Sequence, residues 1–211
     1  MEIFIIGAGG HGKVCFDAIN SSAEHKVIGF IDDNPSRVDE KFCGLPIAGT
    51  TEDLFSKLRD QVKGVFIAIG DNVVRKEIYS KLQSHFTIVN AIHSKAIISD
   101  SVKLGKGVLV VAGAIINADT QIKNGAIINT GATIDHDCII GEFAFIAPGA
   151  NLSGAVHVGV NSLIGTGVAV IPNIKIGKNV LVGAGSVVIK DLPDNCTAFG
   201  VPAQIKKEKK K

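Results

Sequence analysis

From Ile98 to Val188 every sixth residue is aliphatic: Ile98, Leu104, Val110, Ile116, Ile122, Ile128, Ile134, Ile140, Ile146, Leu152, Val158, Ile164, Val170, Ile176, Val182 and Val188. Sixteen positions follow one another without a slip. Two residues before each, the side chain is usually small, as at Ala114, Ala126, Ala132, Cys138, Ala144, Ala150, Ser162 and Ser186. Glycine often follows, as at Gly105, Gly141, Gly159, Gly165, Gly177 and Gly183. An amphipathic helix repeats every 3.6 residues and a half-buried strand every two, so neither carries this pattern. A six-residue unit suits a parallel β-helix: one short strand with its aliphatic residue turned inward, then a tight corner where Gly and Asn tolerate left-handed backbone. Three such units close a triangular coil. A β sandwich would show period two with longer, irregular turns, so the expectation for residues 94–190 is an all-β parallel β-helix.

Residues 1–93 have a different texture. Short apolar runs alternate with helix-like stretches, the pattern of βαβ units around a parallel sheet. "EIFIIGAGG" reads as a strand and turn, "HGKVCFDAINSS" as a helix, and "KVIGFIDD" and "GVFIAIGD" as strands. A helix from about Val73 to Ser84 and a strand near "FTIVNAI" complete a small Rossmann-like α/β domain. Gly7, Gly9 and Gly12 form a G-x-G-x-x-G loop between strand and helix, and Asp32 ends the next strand. Such a loop lets backbone N–H groups approach a phosphate, while the carboxylate can accept hydrogen bonds from a ribose or base. A packing-only glycine turn is the alternative, and the Asp32–Asp33 pair lowers it. The domain is too short for both halves of a dinucleotide fold, which puts a hydride-transfer enzyme last among the readings.

The remaining residues, 191–211, are a C-terminal segment and a lysine-rich tail. The formal charge is +2, but Lys206 to Lys211 holds five lysines and one glutamate, a net +4, so the rest carries 2 − 4 = −2. The body therefore lacks the electrostatic footprint of a nucleic-acid binder, and the tail reads as a frayed, solvated terminus. The four cysteines are widely spaced with no CxxC pair, which suits reduced thiols in a cytoplasm, and no metal site is expected. The apolar start is too short for a signal peptide or membrane span.

Within the repeat, Asp135-His136-Asp137 interrupts an aliphatic stretch and falls between the inward positions Ile134 and Ile140. Periodicity alone leaves a solvated corner and a catalytic histidine evenly matched. Cys138 occupies a small-residue slot, so packing is its reading.

A glycine-loop α/β domain followed by hexads, with "GAGGHGKV", "FIDD", "AIGDN", "INTGATIDHDCIIGEFAFIAPGA" and "FGVPA" in this order, resembles the bacterial hexapeptide-repeat nucleotide-sugar acetyltransferases. The nearest likeness is to the UDP-4-amino-sugar N-acetyltransferases of bacillosamine-type synthesis, with sialic acid O-acetyltransferases as close relatives. The resemblance implies a left-handed β-helix, acetyl-CoA as co-substrate and a cytoplasmic homotrimer with active sites between subunits. It implies His136 as general base, seven residues after Asn129. Asp137 would raise its basicity, although an aspartate is one methylene shorter than the glutamate common there. The Gly154 N–H would face the oxyanion. Gly9, Gly10, His11, Asp32, Asp33 and Gly70 would hold the nucleotide sugar, and Asn129, Phe145, Gly165, Thr166, Gly183 and Ala184 would line the acetyl-CoA site. Phe145 stands where some relatives carry a histidine. Transfer to a sugar 4-amino group is the leading expectation, with a sialic acid O-acetyltransferase and a non-catalytic nucleotide-sugar-binding trimer as alternatives.

Overall fold

The computed structural model describes residues 1–208, so the final three lysines of the tail lie outside the described residues. The chain divides into two compact units, one ending at Ser94 and one beginning at Lys95.

The first unit runs β1 (Glu2–Ile6), α1 (Gly10–Ser22), β2 (Lys26–Ile31), β3 (Lys41–Phe42), β4 (Leu45–Gly49), α2 (Thr51–Phe55), β5 (Gly64–Ile67), α3 (Asn72–Leu82) and β6 (Thr87–Ile88). The sheet order is β3-β4-β2-β1-β5-β6, parallel except for the β3–β4 hairpin. The central strands are continuously apolar because helices and loops cover both faces, and Ile3, Ile5 and Val65 are wholly buried. The expected helix near Val73 begins at Asn72, where the Asp71 carboxylate accepts from the N–H groups of Val73 and Val74. Strand β4 was not expected, since "GLPIAG" is short and carries Pro46. The "FTIVNAI" stretch forms two separate two-residue strands, Thr87–Ile88 and Ala91–Ile92.

The second unit is a parallel β-helix of two-residue strands, each with one residue outward and the next inward. Strands pair with those eighteen residues away, as in Ile115↔Thr133↔Asn151↔Ala169↔Val187 and Gln121↔Ile139↔His157↔Lys175. Three hexads make one coil. Every repeat position from Val110 to Val188 is at most 2% exposed, while Ile98 and Leu104 of the first coil are half-buried. Left-handed residues stack at the corners: Gly113, Gly131, Gly149, Gly167 and Gly185 in one column, Asp119, Asp137, Ala155 and Asn173 in another. A positive φ costs an ordinary residue roughly 1–2 kcal/mol and Asp or Asn less, which is why an acid is tolerated in the corner at 137.

Two sequence expectations change at the C-terminus. Cys196–Phe199 pairs in parallel with the Leu181–Val182 strand and antiparallel with Gln204–Glu208. Lys206 and Lys207, expected in a frayed end, thus belong to a strand. Among the described residues no helix is long and apolar enough to cross a membrane.

Candidate active site

His136 and Asp137 lie in the corner between the Thr133–Ile134 and Ile139–Ile140 strands. Asp137 adopts φ 60°, and its Oδ2 lies 2.8 Å from His136 Nδ1. The shorter acid therefore reaches the ring. With Nδ1 donating to the carboxylate, Nε2 is left as the proton acceptor. Both side chains are open to solvent in the single chain, at 60% and 61% exposure. The hydrogen bond to Asp137, followed by the charge of Asp135, holds the imidazole pKa above its ordinary 6.5.

Were this ring to serve as a general base it would work only when neutral, and activity would then fall as pH drops through the raised pKa. Asp137→Asn removes the leading cause of the shift. Its acid limb is expected at lower pH than in wild type, read from kcat/KM against pH, with a lower plateau because the neutral ring is less basic; an unmoved limb would sever Asp137 from the base.

Gly154 occupies the same corner one coil later. A β-carbon there would sit 2.6 Å from His136 Cε1 and 2.7 Å from Nε2. Only glycine lets the ring lie against the next coil. The flanking backbone is fixed to both neighbouring coils: Asp137 N–H donates to the Ala118 carbonyl, and the His136 carbonyl accepts from Ala155 N–H. Cys138 is buried with its Sγ on the Ser153 carbonyl, and burial pushes its thiol pKa up. Packing, not nucleophilic chemistry, accounts for it.

The residues expected along acetyl-CoA occupy a different corner. Asn129, Gly165 and Gly183 are spaced by multiples of eighteen, in the corner after the strands Ile127–Ile128, Leu163–Ile164 and Leu181–Val182, with Thr166 and Ala184 beside them. The glycines permit close stacking: a β-carbon on Gly165 would meet the Val182 carbonyl oxygen at 2.6 Å. Asn129 Oδ1 accepts from the N–H of Thr130 at 2.8 Å. Phe145 stands instead on a flat face, in register between Ile127 and Leu163.

In the first unit, the three loop glycines meet different demands. Gly7 has φ +107°, and a β-carbon on Gly12 would run into the Gly7 carbonyl oxygen. Around Gly9, Gly10 and Gly70 there is open space instead. Gly9 caps the thirteen-residue α1 in an extended conformation with no side-chain cap. Asp32 is engaged by the protein itself: Oδ2 accepts from Ala8 N–H and Arg37 Nη1, and Oδ1 from Asn34 N–H. Asp33 Oδ1 accepts from Thr51 N–H at 2.7 Å. Both acids thus brace the loops that follow β1, β2 and β4.

His11, in the first turn of α1, has its pKa lowered to about 4, by burial first and by the Arg75 cation second. It is neutral at physiological pH. Arg75 is 1% exposed and donates to the carbonyls of Ile69 and Gly70 and to Asn72 Oδ1. Sequence reasoning missed Arg37, Arg75 and Asn117. Arg37 and Arg75 lie outside the glycine motif, and Asn117 comes into play only through the coil spacing. Among the described residues no cluster of three or more His, Cys, Asp or Glu side chains could hold a metal ion.

Comparison with known proteins agrees with both units. The family described as PglD N-terminal domain matches residues 2–82, and that of the bacterial transferase hexapeptide (six repeats) matches residues 119–154. A histidine-to-asparagine mutant of perosamine N-acetyltransferase from Caulobacter crescentus, solved with CoA and GDP-perosamine, is 44% identical, covers 99% of this chain and 98% of its own, and has a TM-score of 0.93. The acetyltransferase domain of PglB from Neisseria gonorrhoeae FA1090 is 37% identical over 97% of this chain and 98% of that one, with a TM-score of 0.91. The UDP-N-acetylbacillosamine N-acetyltransferase of Bacillus subtilis (strain 168) is 41% identical over 117 residues, 53% of this chain and 51% of that protein. The chain thus spans about half the length of that curated relative. Likeness at this level along nearly the whole of the perosamine enzyme settles the kinship: the chain belongs to the hexapeptide-repeat nucleotide-sugar acetyltransferases, with a PglD-type N-terminal domain and a left-handed parallel β-helix.

Proposed function

We propose that this protein transfers the acetyl group of acetyl-CoA to the 4-amino group of a nucleotide-linked 4-amino-4,6-dideoxy sugar, UDP-linked in the first instance, for a bacterial glycan. The observation that carries the reading is the His136–Asp137 pair at 2.8 Å, with its ring lying against Gly154. The relatives named above include a complex with CoA and GDP-perosamine, and the PglB domain was also solved with acetyl coenzyme A.

The thioester is already activated, and the obstacle is the acceptor, since a sugar amine near neutral pH is largely protonated. His136 Nε2 takes the proton of the attacking amine, and Asp137 stabilises the imidazolium so formed. Attack on the carbonyl carbon produces a tetrahedral oxyanion. In this reading the Gly154 N–H, which donates to no described group of the chain, receives it. The thiolate of CoA then leaves. In the first unit, the open space at Gly9 and Gly10 before α1 is assigned to the diphosphate, with neutral His11 and the Gly70 loop around it.

Base and acetyl-CoA candidates occupy different corners of a single β-helix, with one strand layer between them. That separation supports a homotrimer in which the His136 corner of one chain meets the Gly165–Gly183 corner of a neighbour. The outward residues Phe145, Leu163 and Leu181, half-buried or exposed in the single chain, offer an apolar face for such packing. A monomer by light scattering would remove this arrangement. A cytoplasmic site of action fits both proposed substrates.

The test is thiol release from acetyl-CoA with a panel of UDP-, GDP- and dTDP-4-amino sugars and free sialic acid. Turnover with one or more amino sugars is expected. Release with sialic acid alone would favour the O-acetyl reading, and nucleotide-sugar binding without any release would favour a binding trimer.

A further inference from the structure

Asp135 has no part in the chemistry just described, yet it is fastened more firmly than its surroundings require. Its position recurs every eighteen residues as Ser99, Asn117, Asp135, Ser153, Ile171 and Ile189, and only this one is ionisable. Asp135 Oδ1 accepts the peptide N–H of His136 at 2.8 Å and Nδ2 of Asn117, one coil earlier, at 2.9 Å. The Asp135 carbonyl accepts from the hydroxyl of fully buried Thr120 at 2.9 Å, and that hydroxyl in turn accepts from Cys138 N–H at 3.1 Å. The turn bearing His136 is thus tied to the preceding coil on both sides of the histidine.

We propose that Asp135 and Asn117 form a positioning pair that fixes the peptide carrying His136, so that the imidazole stays between the Asp137 carboxylate and Gly154. Neither residue touches substrate. The inference rests on the reading of His136 as the base. Without the carboxylate, the His136 N–H loses its acceptor and the ring gains freedom to leave Asp137; displacement of a reacting group by about 1 Å can cost about 100-fold in rate. Asp135 also acts through its charge. Its hydrogen bonds from Asn117 and His136 keep it ionised, with a pKa below the ordinary carboxylate value, and it adds to the field that makes His136 more basic. The other charged group of this turn is Asp137, and Asp119 stands in the same corner one coil earlier. The following coil brings Ser153, Gly154 and Ala155, none of them charged.

Asp135→Ala, Asp135→Asn and Asn117→Ala separate the two roles. Asp135→Ala is expected to lower kcat by up to about 100-fold with little change in either KM. Asn117→Ala should lower it in the same direction by less, and the double variant should be no worse than Asp135→Ala alone, as befits one coupled unit. Asp135→Asn keeps an acceptor for the His136 N–H but loses the charge, so it should recover part of the lost kcat. Its His136 imidazole, followed by NMR, should titrate at lower pH than in wild type. A merely structural role would lower thermal stability and leave the titration unmoved. Wild-type kcat in Asp135→Ala, or a loss confined to KM, would overturn the proposal. Should Asp135→Ala fail to fold, wild-type kcat in Asn117→Ala together with an unmoved titration in Asp135→Asn does the same. The titration needs no turnover, so it judges the pair even where acetyl transfer itself is not observed.

Discussion

His136→Ala is expected to lower kcat by about 100- to 10,000-fold, the usual contribution of a positioned general base, while thermal stability stays close to wild type. The ring is 60% exposed and adds nothing to the β-helix core, whose inward positions around it are Ile134 and Ile140. Because the amine must lose its proton before it attacks, the residual rate of the variant should rise with pH as free amine accumulates without help. Measurement of kcat from pH 6 to 9 checks this. A variant with full activity would remove His136 from the mechanism, and equal losses of activity and folding would make it a structural residue.

Gly154→Ala adds a single methyl group and is expected to be nearly as damaging, at about 100-fold or more in kcat. The added carbon would meet the imidazole at 2.6 Å, a separation that non-bonded carbons do not keep. The backbone here is locked: Ala155 N–H donates to the His136 carbonyl, and the Gly154 carbonyl accepts from Asn173 N–H. The exposed ring is the part free to yield. It would swing off Asp137, so His136 should lose its elevated pKa while the coil stays intact. Unchanged melting temperature with a lowered imidazole titration is the expected signature. Retained kcat would mean that the ring adopts another pose in turnover.

The β-helix is legible in the sequence because its constraint is strictly periodic. Each inward position must be aliphatic and the slot two residues before it is usually small, so sixteen repeats spell out the coil register without reference to anything distant. The His136 corner was visible for the same reason, since an Asp-His-Asp run between two inward isoleucines has to stand on a turn. Its partners were less visible. Gly154 as the bed of the imidazole and Asn117 as the anchor of Asp135 are contacts across one coil, which appear once residues eighteen apart are superposed.

The first unit was harder to read in detail. Its glycine loop and central strands follow a familiar pattern, but the short β4 with Pro46 lacks the alternation that marks a strand. Asp32 stands where a ribose or base could meet it, and the structure adds that its oxygens accept from Ala8, Asn34 and Arg37. An arginine five residues on can satisfy a carboxylate in many folds, and no spacing rule in the sequence announces that it does so here.

The eighteen-residue register also sets the grammar of length changes in this protein. Removing six residues between His136 and Gly154 would leave the aliphatic beat unbroken, and the trimmed chain could still wind into a filled coil. Every later residue would nevertheless be rotated by a third of a turn, carrying Gly154 to another edge of the prism. Loss of a whole coil preserves edges but sets a new residue against the imidazole. The core therefore reads insertions and deletions modulo six, while the chemistry reads them modulo eighteen and also by address.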